Sequence, residues 1–182
     1  ALDGSLTLRS ELNDNFTITG GEGSGDTVIG DIETGNGDEL SDDFTMSGVE
    51  TLLISDFVDN DEIDLEGVTG LNNVGIINNP LNPTVKADTL NIVNAAAGGV
   101  VLFQADGQNN GNNQVIGSVD IGFLDATSDD PADSVTVVVN NQGEDVEDPS
   151  DSDKEVIDAG SFTAANVRNV TVNAQDGNVQ FD

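Results

Sequence analysis

Gly20-Gly21-Glu22-Gly23-Ser24-Gly25-Asp26-Thr27-Val28-Ile29-Gly30-Asp31 opens a stretch that closes with Ile54-Ser55-Asp56-Phe57-Val58-Asp59-Asn60-Asp61-Glu62-Ile63-Asp64-Leu65. Between them lie Gly35-Asn36-Gly37-Asp38-Glu39 and Gly48-Val49-Glu50-Thr51-Leu52-Leu53-Ile54. Short runs of Val, Ile, Leu and Thr alternate with Gly/Asp turns, the pattern of strands joined by tight connections. Glycine lets the backbone turn its carbonyls inward at positive φ, and an aspartate a few residues on adds a carboxylate. Such turns make oxygen cages suited to calcium. The expected fold is all-β, a β-sandwich or stacked small β-sheets, with calcium-stiffened turns.

Three segments carry a family resemblance. Gly20-Gly21-Glu22-Gly23-Ser24 resembles the G-G-x-G-x-D nonapeptide of RTX proteins, with the aspartate displaced to Asp26 by the extra Gly25. Ile54 to Leu65 resembles the I-x-D-F-x-x-x-D-x-I-D-L segment that often follows RTX blocks. Ser47-Gly48-Val49-Glu50-Thr51-Leu52 resembles the G-V-E-T-L strands that recur in calcium-dependent bacterial surface-layer proteins. The resemblance implies calcium as cofactor, an extracellular, cell-surface location, and a chain built of many β modules.

Charge narrows the function classes. The 182 residues include 35 Asp and Glu against 4 Lys and Arg, a formal net charge of −31. A compact chain of this length has a radius of gyration of about 16 Å, so its carboxylates crowd within a screening length of roughly 8 Å. Bound divalent cations would relieve the repulsion. Arg9, Lys86, Lys154 and Arg168 are too few to bind phosphate, so nucleic acid is excluded as a partner, and anionic membranes are disfavoured likewise. With no Cys and no His, disulfides and thiolate or imidazole metal sites are ruled out. No apolar run approaches the roughly 20 residues of a membrane span, so membrane insertion is not expected. No signal peptide is seen, and Ala1 is the kind of residue that cleavage leaves.

Along the chain, Ser5 to Arg9 and Phe16 to Thr19 alternate apolar and polar residues, the period of half-buried strands, with polar Ser10 to Asn15 between them. Further strands are expected at 74–77, 88–93, 100–104, 114–124, 134–140, 167–173 and 178–181. Asp176-Gly177 is read as the hairpin turn between the last two. The prolines of Asn78-Asn79-Pro80-Leu81-Asn82-Pro83 mark the best candidate linker. The chain is therefore expected to be one all-β domain over 1–182, with possible lobes 1–79 and 84–182. An internal echo runs through it: Asp26-Thr27-Val28, Asp88-Thr89-Leu90 and Asp133-Ser134-Val135 are each followed, roughly 23 to 34 residues on, by a second strand near Thr51, Val119 and Val167. Three degenerate modules fit this echo, and so does a simple preference of Asp-Thr-Val for strand starts.

The candidate calcium ligands are Asp26, Asp31 and Asp38, then Asp56, Asp59, Asp61 and Asp64, with Asp59 and Asp61 on one face of an extended segment. Asp151 and Asp153 form a further acidic loop with Asp148 and Glu155; a solvated charged insertion is the competing reading. Asn15-Phe16-Thr17 and Asn169-Val170-Thr171 match the glycosylation sequon. Catalysis would rest on paired carboxylates alone, with no Trp or Tyr to stack a sugar, so an enzyme is not expected. The expected function is an extracellular structural protein that self-assembles, calcium-dependently, into a surface layer or filament. The alternative is a calcium-stiffened adhesin module of a longer cell-surface protein. The expected partner is a second copy, joined by exchange of the N-terminal strand through Leu6 and Leu8.

Overall fold

The computed structural model describes residues 7–12, 16–21, 23–32, 39–40, 44–57, 61–77, 88–104, 114–115, 117–140, 156–158, 161–175 and 178–180. These form eighteen strands and no helix, and the chain winds through them as successive coils. The first coil holds β1 (Thr7–Leu12) and β2 (Thr17–Thr19), the second β3 (Thr27–Ile32), β4 (Glu39–Leu40) and β5 (Thr45–Ser47). The third holds β6 (Thr51–Asp56), β7 (Glu62–Asp64) and β8 (Val68–Thr69), and the fourth β9 (Asn73–Ile77) and β10 (Thr89–Ala95). The fifth contributes β11 (Val100–Gln104), β12 (Gln114–Val115) and β13 (Ser118–Phe123). The sixth contributes β14 (Ala132–Asn140), β15 (Val156–Asp158) and β16 (Phe162–Ala164), and the last β17 (Val167–Gln175) and β18 (Asn178–Gln180).

Every strand pairs with the equivalent strand of an adjacent coil, and every such pairing among the described residues is parallel. Four sheets result. One face carries the seven-stranded sheet β1-β3-β6-β9-β11-β14-β17, another the five-stranded sheet β16-β13-β10-β7-β4, and two three-stranded sheets, β2-β5-β8 and β12-β15-β18, complete the stack. Of the two arrangements expected, stacked sheets are the one present, in the form of a parallel solenoid. The seven-stranded sheet runs without a break from β9 to β11, across the proline-rich residues 78–87 that lie outside the described set.

Register makes each column of the solenoid a row of like residues. Leu8, Val28, Leu52, Val74, Val101, Val137 and Val172 occupy one column, each paired to the next. Beside it run Ile54, Ile76, Phe103, Val139 and Ala174. From the opposite sheet come Ile63, Ile92, Ile121 and Ala164. Most of these side chains are buried and fill the lumen, with Phe103 edge-on to Phe162 at 6.4 Å. The column of Thr27, Thr51 and Asn73 lies on the outer face, half-buried, and Asn73 Nδ2 donates to Thr51 Oγ1 at 3.0 Å. A second outer column is apolar: Ile29 and Leu53 are register partners and cluster with Ile77 and Leu102.

Two expectations are corrected. β17 and β18 do not form a hairpin about Asp176-Gly177: β17 pairs with β14 and β18 with β15, both parallel. A turn sequence fixes only what the chain does locally, and here the nine-residue β17 finds a longer partner, β14, in the coil beneath. Ser10 is not part of a polar linker either, since β1 continues to Leu12, which is buried. The internal echo has a simple cause. Thr27 pairs with Thr51, Leu90 with Val119 and Ser134 with Asn169, so each echoed pair is the same position in consecutive coils.

The column geometry is testable at two valines that differ only in coil. Val137 is fully buried, whereas its register partner Val172 is 54% exposed. In dilute protein, Val137→Ala should cost about 2 kcal/mol and Val172→Ala less than about 0.5 kcal/mol in urea denaturation. Equal losses at the two positions would contradict this stacking.

Candidate functional site

The Gly20–Asp26 turn meets the Gly48–Thr51 segment at one corner of the solenoid. Gly48 and Gly70 adopt φ of 64° and 87°, and a Cβ on Gly20 would stand 1.8 Å from the Gly48 carbonyl oxygen. The corner is thus glycine-rich because three coils approach each other closely there. Gly20 N donates to Ser47 O and Gly48 N to Thr69 O, at 2.8 and 3.3 Å. One residue-row along, Asp26 O accepts from both Glu50 N and Thr51 N, and Glu50 O accepts from both Asn72 N and Asn73 N, each at 2.9–3.1 Å. A chain of shared carbonyls therefore runs up this corner.

Carboxylates fill the N–H side of the turn. Glu50 Oε2 accepts from Gly25 N at 3.0 Å and from Asp26 N at 2.8 Å, reaching back one coil. Asp26, only 4% exposed, accepts from Gly21 N at 2.8 Å through Oδ2. Two carboxylates thus satisfy three backbone donors of the glycine-rich turn, and charge-assisted bonds of this kind are about twice as strong as neutral ones. The turn presents amides to carboxylates, the reverse of the carbonyl cage its glycines imply. Glu50, quoted above only as part of a strand, is the residue that clamps it. A carboxylate placed one coil after a glycine turn was the available signal, visible only once the coil length is known.

The other expected ligands are dispersed. Asp26 precedes β3 and faces inward, whereas Asp31 near its end is half-buried and paired to the Ser55 hydroxyl. Five residues of extended strand separate the two by about 16 Å, too far to share an ion. Asp56 ends β6 as the register partner of Asp31, which is itself the partner of Glu11. Asp61 is fully buried and its carbonyl accepts from Asn91 N at 2.9 Å. Asp64, three residues on, belongs to the half-buried outer side of β7, and its Oδ1 accepts from Glu66 N and Asn94 Nδ2, both at 2.9 Å. Strand alternation puts Asp61 and Asp64 on opposite faces. Asp38, Asp59, Asp151 and Asp153 lie outside the described residues. Among the described residues no three carboxylates converge on a point that would hold a metal ion.

Two further features complete the inventory. At the second sequon, Asn169 Nδ2 donates to Asp133 O at 2.9 Å, so this amide ties β17 to the coil below. A cavity of about 150 Å³ opens beyond β8, where the β2-β5-β8 sheet stops. Leu65, Val68, Leu71, Ala95 and Phe123 line it, with the Asn72 and Asn94 amides. Its lining offers apolar contact and amides, and Glu66 as its one titratable group. Compared with known proteins, the chain matches no family model, no curated protein and no solved structure.

The clamp separates a structural carboxylate from a metal ligand. Without added calcium, Glu50→Ala should cost about 2–3 kcal/mol and speed hydrogen exchange at Gly25 and Asp26, while Glu50→Gln, which keeps one acceptor oxygen, should cost about 1 kcal/mol. Unchanged exchange at both amides in Glu50→Ala would refute the clamp.

Proposed function

We propose that this chain is an extracellular structural protein that self-assembles, in a calcium-dependent way, into a surface layer or filament. The observation that carries the reading is the solenoid itself: seven coils in register, each repeating its neighbour's column pattern along one axis. Such a stack is quasi-one-dimensional, stiff along its axis and extendable by more of the same unit. The described outer face carries a column of Thr27, Thr51 and Asn73 and stacked carboxylates at Asp31 and Asp56, beside an apolar column. The resemblance of Ser47 to Leu52 and of Ile54 to Leu65 to surface-layer and RTX sequences supports the extracellular setting.

Calcium enters through charge. In-register stacking puts Glu11, Asp31 and Asp56 at adjacent positions of one sheet, and Glu39 beside Glu62 in another. Neighbouring parallel strands lie about 4.8 Å apart, where two like charges repel by about 1 kcal/mol even in water. With a net charge of −31, this penalty recurs over the whole surface. A divalent cation between neighbouring coils removes it, and the sequence adds further carboxylates at Asp38, Asp59, Asp151 and Asp153.

Calcium bound only by the folded chain stabilises it by about 2.7 kcal/mol at a hundredfold excess over the dissociation constant. Excess chelator, with monovalent salt held constant, should lower the melting temperature and dissolve assemblies seen by negative-stain microscopy. An unchanged melting curve and unchanged particles would defeat the proposal.

A further inference from the structure

The last coil leaves its lumen-side valines in solvent. Val170 and Val172 are 50% and 54% exposed, although their register partners Val135 and Val137 are buried almost completely. They lie on β17, the nine-residue edge of the seven-stranded sheet. Natural edges are guarded by prolines, charged side chains or bulges; β17 reads Val-Arg-Asn-Val-Thr-Val-Asn-Ala-Gln, pairs with β14 without a register shift and carries one charge, Arg168 near its start, so Asn169 to Gln175 has neither charge nor proline. It is also free of carboxylates in a chain where they abound, and Arg168 gives it a positive charge. Residues 159–175 contain one arginine and no acid, whereas residues 1–20 contain Asp3, Glu11 and Asp14 against Arg9. β17 itself, though not the whole last coil with Asp176 and Asp182, is thus opposite in sign to the first coil.

We propose that β17 receives β1 of a second copy of this chain, so that the coils of one molecule continue those of the next. The register needed is already written in the columns: Thr7 and Thr171 share one column, Leu8 and Val172 another. Placing β1 on β17 in that register extends the Leu8–Val172 column across the joint and buries Val172 as Val137 is buried. It keeps every strand parallel, so the contact is head-to-tail and non-closing, and it propagates as a filament. An antiparallel β17–β17 contact would instead close at two copies and set one Arg168-bearing edge against another. The inference rests on the self-assembly reading and specifies its interface. It does not require β1 to leave its own sheet, where it is paired with β3 over six residues.

The test uses Val172→Glu, which places a carboxylate at the exposed end of the lumen column, with Leu124→Glu as a control at a residue 48% exposed elsewhere. In calcium, Val172→Glu should fold, as shown by an unchanged melting curve in chelator, and its concentration threshold for polymerisation should rise at least about tenfold. Leu124→Glu should polymerise like the parent. Val172→Glu keeps an intact β1 end, so traces added to the parent should terminate growth and shorten polymers in inverse proportion to the amount added. If the parent polymerises and Val172→Glu does so equally well, the interface is elsewhere and self-assembly stands. If Val172→Glu neither polymerises nor terminates the parent, β17 meets another surface and the β1 assignment falls. If the parent stays monomeric in calcium, both readings fall together.

Discussion

Parallel, in-register pairing between consecutive coils is the constraint on which the rest of the molecule depends. It sets the neighbour of each residue as the same position one coil on, so whatever a column repeats is multiplied by the number of coils. Apolar columns become a continuous buried lumen from Val28 to Val137, in which every side chain packs on its equivalents above and below. The Thr51–Asn73 hydrogen bond lies within an outer column. Acidic columns become strings of repulsion. The same rule thus supplies both the hydrophobic stabilisation and the electrostatic repulsion, in a chain with only 4 Lys and Arg.

The glycine-rich corner shows how the chain manages that charge locally. Tight turns leave backbone N–H groups pointing together, and such concavities bind anions. Asp26 and Glu50 are those anions, one from the turn itself and one from the coil above it. Their negative charge is spent on donors that would otherwise lie unsatisfied in a partly buried corner. The glycines serve two different needs there: close approach of coils at Gly20, and positive φ at Gly48 and Gly70. Acidic residues in this chain therefore divide into those held by amides, such as Asp26, Glu50 and Asp64, and those stacked in register on like charge, such as Asp31 with Asp56.

A stack held together in this way has no intrinsic end. Each interior coil is covered on both sides, but a terminal coil is covered on one, and its lumen residues show the difference directly: Val172 repeats Val137 in type and column and differs in exposure alone. Stability in such a solenoid is a sum of coil and coil–coil terms, so one more coil on an open end adds the same interface that joins the coils within the molecule. On the self-assembly proposed above, folding and assembly draw on one kind of contact.

By itself the sequence determined the all-β character, the positions of most strands, the acidic surface and the absence of thiolate or imidazole chemistry. Alternation at Phe16 to Thr19, the Val-rich run from Ser134 to Asn140, and the counts of Lys, Arg, Cys and His are local facts that need no partner to be read. It also held the coil repeat, as the recurrence of Asp26-Thr27-Val28 at later strands, but coils of unequal length blurred it. Only the tertiary structure decided how strands pair. Asp176-Gly177 reads as a hairpin, yet β17 and β18 each join the coil beneath, and for β17 a nine-residue partner offers more than a turn to three-residue β18 can impose. The Glu50 clamp belongs to the same class: Glu50 and Gly25 are far apart in sequence and adjacent only when one coil lies on another. Local patterning is set by each residue's own neighbours, whereas register is a property of two coils at once, and the Glu50 contacts that close the candidate site cross between coils.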